Sequence, residues 1–159
     1  MGNKQQPGAP EISLSKLIDL LNEDLSRQYL TIMIYATYSQ MINGAAQRDI
    51  ARALERKARE ELHHALMMAE QIHSLGGTPE IKPHLVATSD NTQEMLLRLM
   101  LENGNVTICN YRERVRQCEA LGKYAMAEQI CEILLHEQQH QIDVATALAN
   151  QGSISRSLQ

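Results

Sequence analysis

Apolar side chains recur with the period of an α-helix in four long stretches of this chain. The first stripe runs Leu14, Ile18, Leu21, Leu25, Gln28, Ile32, Tyr35, Ser39, Ile42, and the second runs Ile50, Leu54, Glu61, His64, Met68, Leu75. The third passes through Leu97, Gly104, Ile108, Tyr111 and Val115, the fourth through Ile130, Ile133, Glu137, His140 and Val144. Ser13 or Ser15 suits the N-cap of helix A, since a serine hydroxyl accepts from a free N–H of the first turn. Helix A is expected to end near Asn43-Gly44. Helix B is expected from about Ala46 to Leu75, where Gly76-Gly77-Thr78-Pro79 stops it. Helix C reads from about Asn91 to Leu121, Gly122 punctuates, and helix D reads to about Asn150. Almost no segment alternates with the period of a strand, so the fold class is all-α.

The A–B and C–D links are short and force antiparallel neighbours, whereas the B–C link, roughly Gly76 to Asp90, can run the length of a bundle. An antiparallel four-helix bundle over residues 13–150 follows, with a flexible arm at 1–12 and a flexible tail at 151–159.

The polar members of the inward stripes then need a reason. Glu61-x-x-His64 and Glu137-x-x-His140 repeat one pattern 76 positions apart. Glu and His three apart share a helical face, so each pair can grip one ion, and two facing pairs bring four ligands together. The same offset carries Tyr35 onto Tyr111 and Gly76 onto Gly152, so the chain reads as two helical hairpins related by a pseudo-twofold axis. Four buried polar side chains at one level are costly unless satisfied. Either a metal ion or a hydrogen-bonded Glu/His cluster would satisfy them.

The 159 residues make one domain with no Phe or Trp, so the core is Leu, Ile, Ala and Met, which suits close-packed helices. A net charge of −4 gives no electrostatic case for nucleic acid. The N-terminus lacks a basic-then-apolar signal, and Cys109, Cys118 and Cys131 lack zinc-type spacing, so a cytoplasmic protein with reduced thiols is expected. No charged residue falls between Arg27 and Arg48. Thr31, Thr37, Ser39, Gln40 and Asn43 break that run and favour a subunit interface over a membrane span, hence a homo-oligomer, at least a dimer, through helix A.

At these motifs the chain resembles the ferritin-like superfamily, especially bacterioferritin and related small ferritin-like proteins, from about Leu14 to Ala149. Leu20-Leu21-Asn22-Glu23-Asp24-Leu25 through Tyr29 resembles that family's first helix, Asn110-Tyr111-Arg112-Glu113 its third, and the two Glu-x-x-His segments its second and fourth. The resemblance implies a ferritin-like bundle with a long B–C crossover. It also implies bridging carboxylates at Glu61 and Glu137, terminal imidazoles at His64 and His140, and ferroxidase-like iron binding and oxidation.

The family pattern has one more glutamate 33 positions before each Glu-x-x-His glutamate, and those positions here are Gln28 and Gly104. Glu102 would substitute only through a bulge at Gly104, and Asp24, one turn before Gln28, offers at most a water-mediated contact. Gln28 can offer a neutral oxygen, and Gly104 leaves open space for solvent or a small ligand. Leu62 stands where bacterioferritin carries its haem methionine, so no haem is expected, and the 19 residues after His140 are too few for a fifth helix and a 24-subunit cage.

Glu61 and Glu137 neutralise one divalent ion, not two, so a mononuclear, non-enzymatic structural site for iron, zinc or manganese stands beside the iron-oxidising reading. Another metal-dependent oxidase is a third reading. Tyr35 and Tyr111 are core tyrosines or hydrogen-bond donors to the ligands. His63 and His136 are expected to point away from the centre, and Cys109 and Cys131 fall at similar heights on helices C and D.

Overall fold

The structure is a computed structural model and describes residues 12–42, 48–82, 84 and 92–157. Four helices follow in order: α1 (Leu14–Met41), α2 (Arg48–Ser74), α3 (Gln93–Ala120) and α4 (Tyr124–Ser157), with no strand among the described residues. Ser13, rather than Ser15, caps α1, its hydroxyl accepting from the N–H of Lys16 at 3.1 Å. Thr92 does the same for α3, accepting from the N–H of Met95. The ends expected at Asn43-Gly44, Ala46 and Asn91, and residues 83 and 85–90 of the crossover, lie outside the described residues.

Gly76 stops α2 and Gly122 stops α3, each with a positive φ that side chains with a Cβ resist. The carbonyls they leave behind are satisfied: the N–H of Gly77 donates to Ile72, and that of Lys123 to Cys118. The repeat breaks down at Gly152, because α4 continues beyond the end expected near Asn150 and carries Gly152 inside the helix.

Side-chain bonds between helices fix their directions. Asn103 meets Thr31 while Asn110 and Arg114 meet Asp24, so α3 is antiparallel to α1. Lys57 meets Asp143 while Gln71 meets Gln129, so α2 is antiparallel to α4. The start of the crossover lies along α1: Asn22 bonds the Thr78 carbonyl and the Glu80 N–H, and the His84 N–H donates to the Ser26 carbonyl. This is the antiparallel four-helix bundle with a long B–C crossover that the link lengths require.

The apolar interior comes in two blocks. One gathers Leu17, Leu21, Leu25, Met68, Ile72, Ile108 and Ile130, and the other Leu30, Ile34, Tyr35, Leu54, Leu97, Met100 and Val144. Each fully buried Leu or Ile contributes about 1.5–3 kcal/mol, so the two blocks hold the helices together from above and below. Between them, in the order of every helix, lies a polar layer. Leu14 and Ile50, counted on the inward stripes, are instead exposed at helix ends.

The uncharged run of α1 is covered largely within the subunit: Leu30, Ile34, Tyr35 and Tyr38 are buried, and Met33 is its one large exposed apolar side chain. Ile34, which with Met41 the uncharged run would offer to a subunit contact, instead packs in the core of the subunit. Among the described residues no helix is long and apolar enough to cross a membrane.

Asp24 is also placed differently from expectation. Its carboxylate is buried and accepts from Arg114 Nε at 2.7 Å and Asn110 Nδ2 at 3.0 Å, so it ties α1 to α3 instead of reaching the Glu/His level through water. Burial pushes this carboxyl up to about 6 even though Arg114 pulls it down. Arg114→Leu should cost about 3–5 kcal/mol at pH 8, where a buried anion loses its partner. The cost should be smaller at pH 5, because without Arg114 the Asp24 pKa rises further and the carboxyl is neutral there. Urea unfolding at the two pH values checks this, and an equal cost at both would mean the ion pair is not what is lost.

Candidate metal centre

The polar layer brings Glu61, His64, Glu137 and His140 together. Helical spacing places each Glu and its His on one inward face, and the antiparallel packing of α2 on α4 sets the two faces at one height. All four side chains are buried, Glu61 with no exposed surface at all. His140 Nδ1 lies 2.8 Å from Glu61 Oε1, and His64 Nδ1 lies 3.3 Å from Glu61 Oε2 and 3.6 Å from Glu137 Oε1. Ligand atoms of Glu61, His64 and Glu137 all fall within 4.8 Å of one another, and His140 joins this group through Glu61.

The electrostatics follow from that geometry. Burial disfavours the Glu61 anion, but hydrogen bonds from His140 and His64 outweigh it and hold the carboxyl at about 2. Burial likewise disfavours the His64 cation, and the Glu137 and Glu61 carboxylates outweigh it, lifting the imidazole to about 9. His140 is raised in the same way by Glu61. Glu137 lies above its ordinary range because burial wins over donation from His64. The quartet thus pairs an ionised Glu61 with a charged His64 imidazole, with His140 bonded to Glu61 and Glu137 beside His64.

The residues at the two departures from the family pattern sit on either side. Gln28 turns its amide nitrogen, not its oxygen, to Glu137 Oε1 at 3.2 Å. Gly104 does not leave open space: a Cβ there would collide with the Gln141 side chain, whose Nε2 donates to the Leu101 carbonyl at 2.7 Å and to Asn105 at 2.8 Å. Glu102 is exposed and takes no part. Tyr35 sets its ring edge-on to His140, with centroids 6.3 Å apart. Tyr111 is wholly buried beside Gln28 with no well-formed hydrogen bond to its hydroxyl, and burial together with the Glu137 charge keeps that phenol protonated. Cys109 and Cys131 are both exposed and unpaired.

The Ferritin model, the ferritin-like domain, matches residues 18–153. The chain belongs to the ferritin-like family. A ferritin-like, diiron-carboxylate protein from Bacillus anthracis str. Ames is 27% identical at a TM-score of 0.78, over 86% of this chain and 99% of that one. The bacterioferritin of Desulfovibrio desulfuricans, whose crystal structure describes a diiron site in different catalytic states, shares the fold at 19% identity. Its TM-score is 0.80, over 91% of this ferritin-like chain and 85% of that one. No curated protein sequence matches the chain.

Three neighbours of this ferritin-like centre escape a reading of the inward stripes. His136 does not point away: its ring stacks on His64 with centroids 5.5 Å apart, and its Nδ1 lies 3.3 Å from His64 Nε2. Glu60 accepts from His140 Nε2 at 3.1 Å. Gln141 fills the space beside Gly104. Each adjoins a motif residue in sequence, and Glu60 and His136 are one repeat apart, which is the only signal the chain offers for them. His63 remains exposed, as expected.

The pKa shifts set a signed pH dependence for the metal-free protein. His64, lifted from 6.5 to about 9, contributes stability fully present below 6.5 and lost as pH rises through 9. Glu61, lowered from 4.5 to about 2, contributes stability present above 4.5 and lost as pH falls through 2. Chelator-treated protein should therefore unfold at lower urea at pH 9.5 than at pH 6. The alkaline loss should shrink in His64→Gln, and an undiminished loss there would assign it to other groups.

Proposed function

We propose that this ferritin-like protein binds ferrous iron inside each subunit through Glu61, His64, Glu137 and His140, and oxidises it with dioxygen as electron acceptor. The observation that carries the reading is the buried quartet itself. Two carboxylates and two imidazoles, each imidazole turning Nδ1 toward a carboxylate oxygen, converge where the apolar core is interrupted. Membership of the ferritin-like family and the diiron-carboxylate relative support iron as the ion. Iron supplies a ferrous-to-ferric one-electron step, and the protein's part is to bind and orient the ion and to exclude bulk water from it.

The donor set balances one divalent ion: with both carboxylates ionised and both imidazoles neutral, as ligands must be, it carries two negative charges. A second ion adds two positive charges, and the neutral amides of Gln28 and Gln141 offer nothing to balance them, so it requires hydroxide or another anion. This same observation favours a second reading, a single resident ion of iron, zinc or manganese that bolts the two hairpins together without turnover.

Metal analysis of protein purified without added metal, followed by anaerobic ferrous titration and exposure to oxygen, separates the readings. Uptake near two ions per chain with an absorbance rise on oxygenation supports iron oxidation, uptake near one without turnover supports the bolt, and no uptake leaves a hydrogen-bonded cluster. His64→Ala combined with His140→Ala should abolish uptake in either metal reading. Gln28→Glu should raise uptake toward two ions and speed oxidation, while destabilising the metal-free protein at neutral pH through repulsion with Glu137. An unchanged stoichiometry in folded Gln28→Glu would mean that charge balance does not limit the second ion. Gly104→Glu would have to displace the end of the Gln141 side chain, whose amide oxygen lies where the new Cβ would go.

The same reading includes a cytoplasmic homo-oligomer, at least a dimer, through α1. What supports it is exposed apolar surface on two neighbouring helices, Met33 on α1 and Leu62 and Leu66 on α2. The Gln40–Glu55 hydrogen bond sets the register that brings Met33 level with Leu62. Met33→Asp with Leu66→Asp should lower the mass in light scattering without unfolding the chain, whereas Ile34→Asp should unfold it. An unchanged mass in the double variant would exclude this face.

A further inference from the structure

His64 and His140 each turn a second ring nitrogen away from the buried carboxylates, and each meets a side chain of the opposite helix. His140 Nε2 donates to Glu60 Oε2 at 3.1 Å, and His64 Nε2 lies 3.3 Å from Nδ1 of the stacked His136 ring. Glu60 and His136 each immediately precede the glutamate of a Glu-x-x-His, one repeat of 76 positions apart. The two contacts are therefore related by the pseudo-twofold axis, but their chemistry is not. One partner is an anion and the other an imidazole.

Packing does not require either partner. The Glu60 side chain is 57% exposed and His136 is exposed, both on the wall of a cavity of about 600 Å³ that opens between α2 and α4. A side chain held at such a surface and directed at the outer nitrogen of a buried imidazole has one clear physical effect, on that ring's tautomer and orientation. An acceptor at Nε2 keeps the proton there and leaves the Nδ1 lone pair for an ion. An anionic acceptor also raises the electron density that Nδ1 can donate.

We propose that Glu60 and His136 are positioning residues, each holding one imidazole with Nδ1 toward the centre, and that the charge of Glu60 makes His140 the stronger of the two nitrogen donors. The inference rests on the metal-centre reading of the quartet. On that basis the two halves of the centre are alike in geometry and unequal in affinity. The inequality comes from residues on the cavity wall and not from the ligands themselves.

The test uses the full chain and Co²⁺ alone as probe, followed by visible absorbance, beside the imidazole N–H signals of the metal-free protein. Glu60→Gln should weaken Co²⁺ binding by about tenfold, the lower end of the range for such outer partners, and His136→Leu by less. His136→Glu, which installs a second anionic acceptor, should tighten binding by on the order of tenfold, a gain that misfolding cannot mimic. Gln139→Glu is the control: it adds the same charge on the same cavity wall, where Gln139 bonds Asp143 and no imidazole.

In the metal-free protein Glu60→Gln should shift the Nε2–H signal of His140 and leave that of His64, and His136→Leu should do the converse. Equal losses from Glu60→Gln and His136→Leu, or a gain from Gln139→Glu matching that from His136→Glu, would overturn the proposal. Ring signals indifferent to both partners would do the same. If the native chain takes up no Co²⁺, the metal-centre reading fails, while the ring signals still decide whether Glu60 and His136 hold the imidazoles.

Discussion

The hydrogen bonds from His140 and His64 to Glu61, 2.8 and 3.3 Å long, close the level of the bundle where the two apolar blocks meet. On either side of it leucine, isoleucine and methionine dominate the packing. At this level a buried carboxylate or imidazole without a partner would cost several kcal/mol. The arrangement is stable because Glu61, His64 and His140 satisfy one another through hydrogen bonds. It holds only while α2 and α4 keep the register that sets Glu61 opposite His140. The apolar blocks supply the affinity between helices, and the polar layer supplies the register.

That self-satisfaction also defines what the centre can accept. Two carboxylates with two neutral imidazoles balance one divalent ion, and everything beyond that first ion needs a further anion. Gln28 and Gly104 are where this chain departs from its family, and the structure gives each a definite neighbour. Gln28 caps Glu137 with an amide N–H, and Gly104 makes room for the Gln141 side chain. Neither is a vacancy. Both positions present a neutral hydrogen-bonding group, the Gln28 amide and the Gln141 amide, to the surroundings of the layer.

The pseudo-twofold axis runs through these features unevenly. It carries Glu61 onto Glu137, His64 onto His140 and Tyr35 onto Tyr111, and both tyrosines lie against the layer. It fails at Gly152, which lies inside α4, and it pairs unlike chemistry at Glu60 and His136. Symmetry of fold is thus preserved where helices must pack. It is relaxed around the layer, where a change of side chain alters charge without disturbing the backbone.

Hydrophobic periodicity alone established the four helices, their antiparallel pairing through short links, and the inward face of Glu61, His64, Glu137 and His140. All of these are properties of a single helix or of a link length, and a period of 3.6 residues reports them directly. Glycine marked the ends of α2 and α3 because only a positive φ closes those turns. What a given side chain meets on another helix was beyond that reach. Asp24 finding Arg114, His136 stacking on His64, Glu60 reaching His140, Gln141 covering Gly104, and Ile34 turning into the core instead of an interface all depend on axial offset between helices. That offset is set by the simultaneous packing of two apolar blocks around the polar layer. No stretch of sequence carries it, so only the tertiary structure decided it.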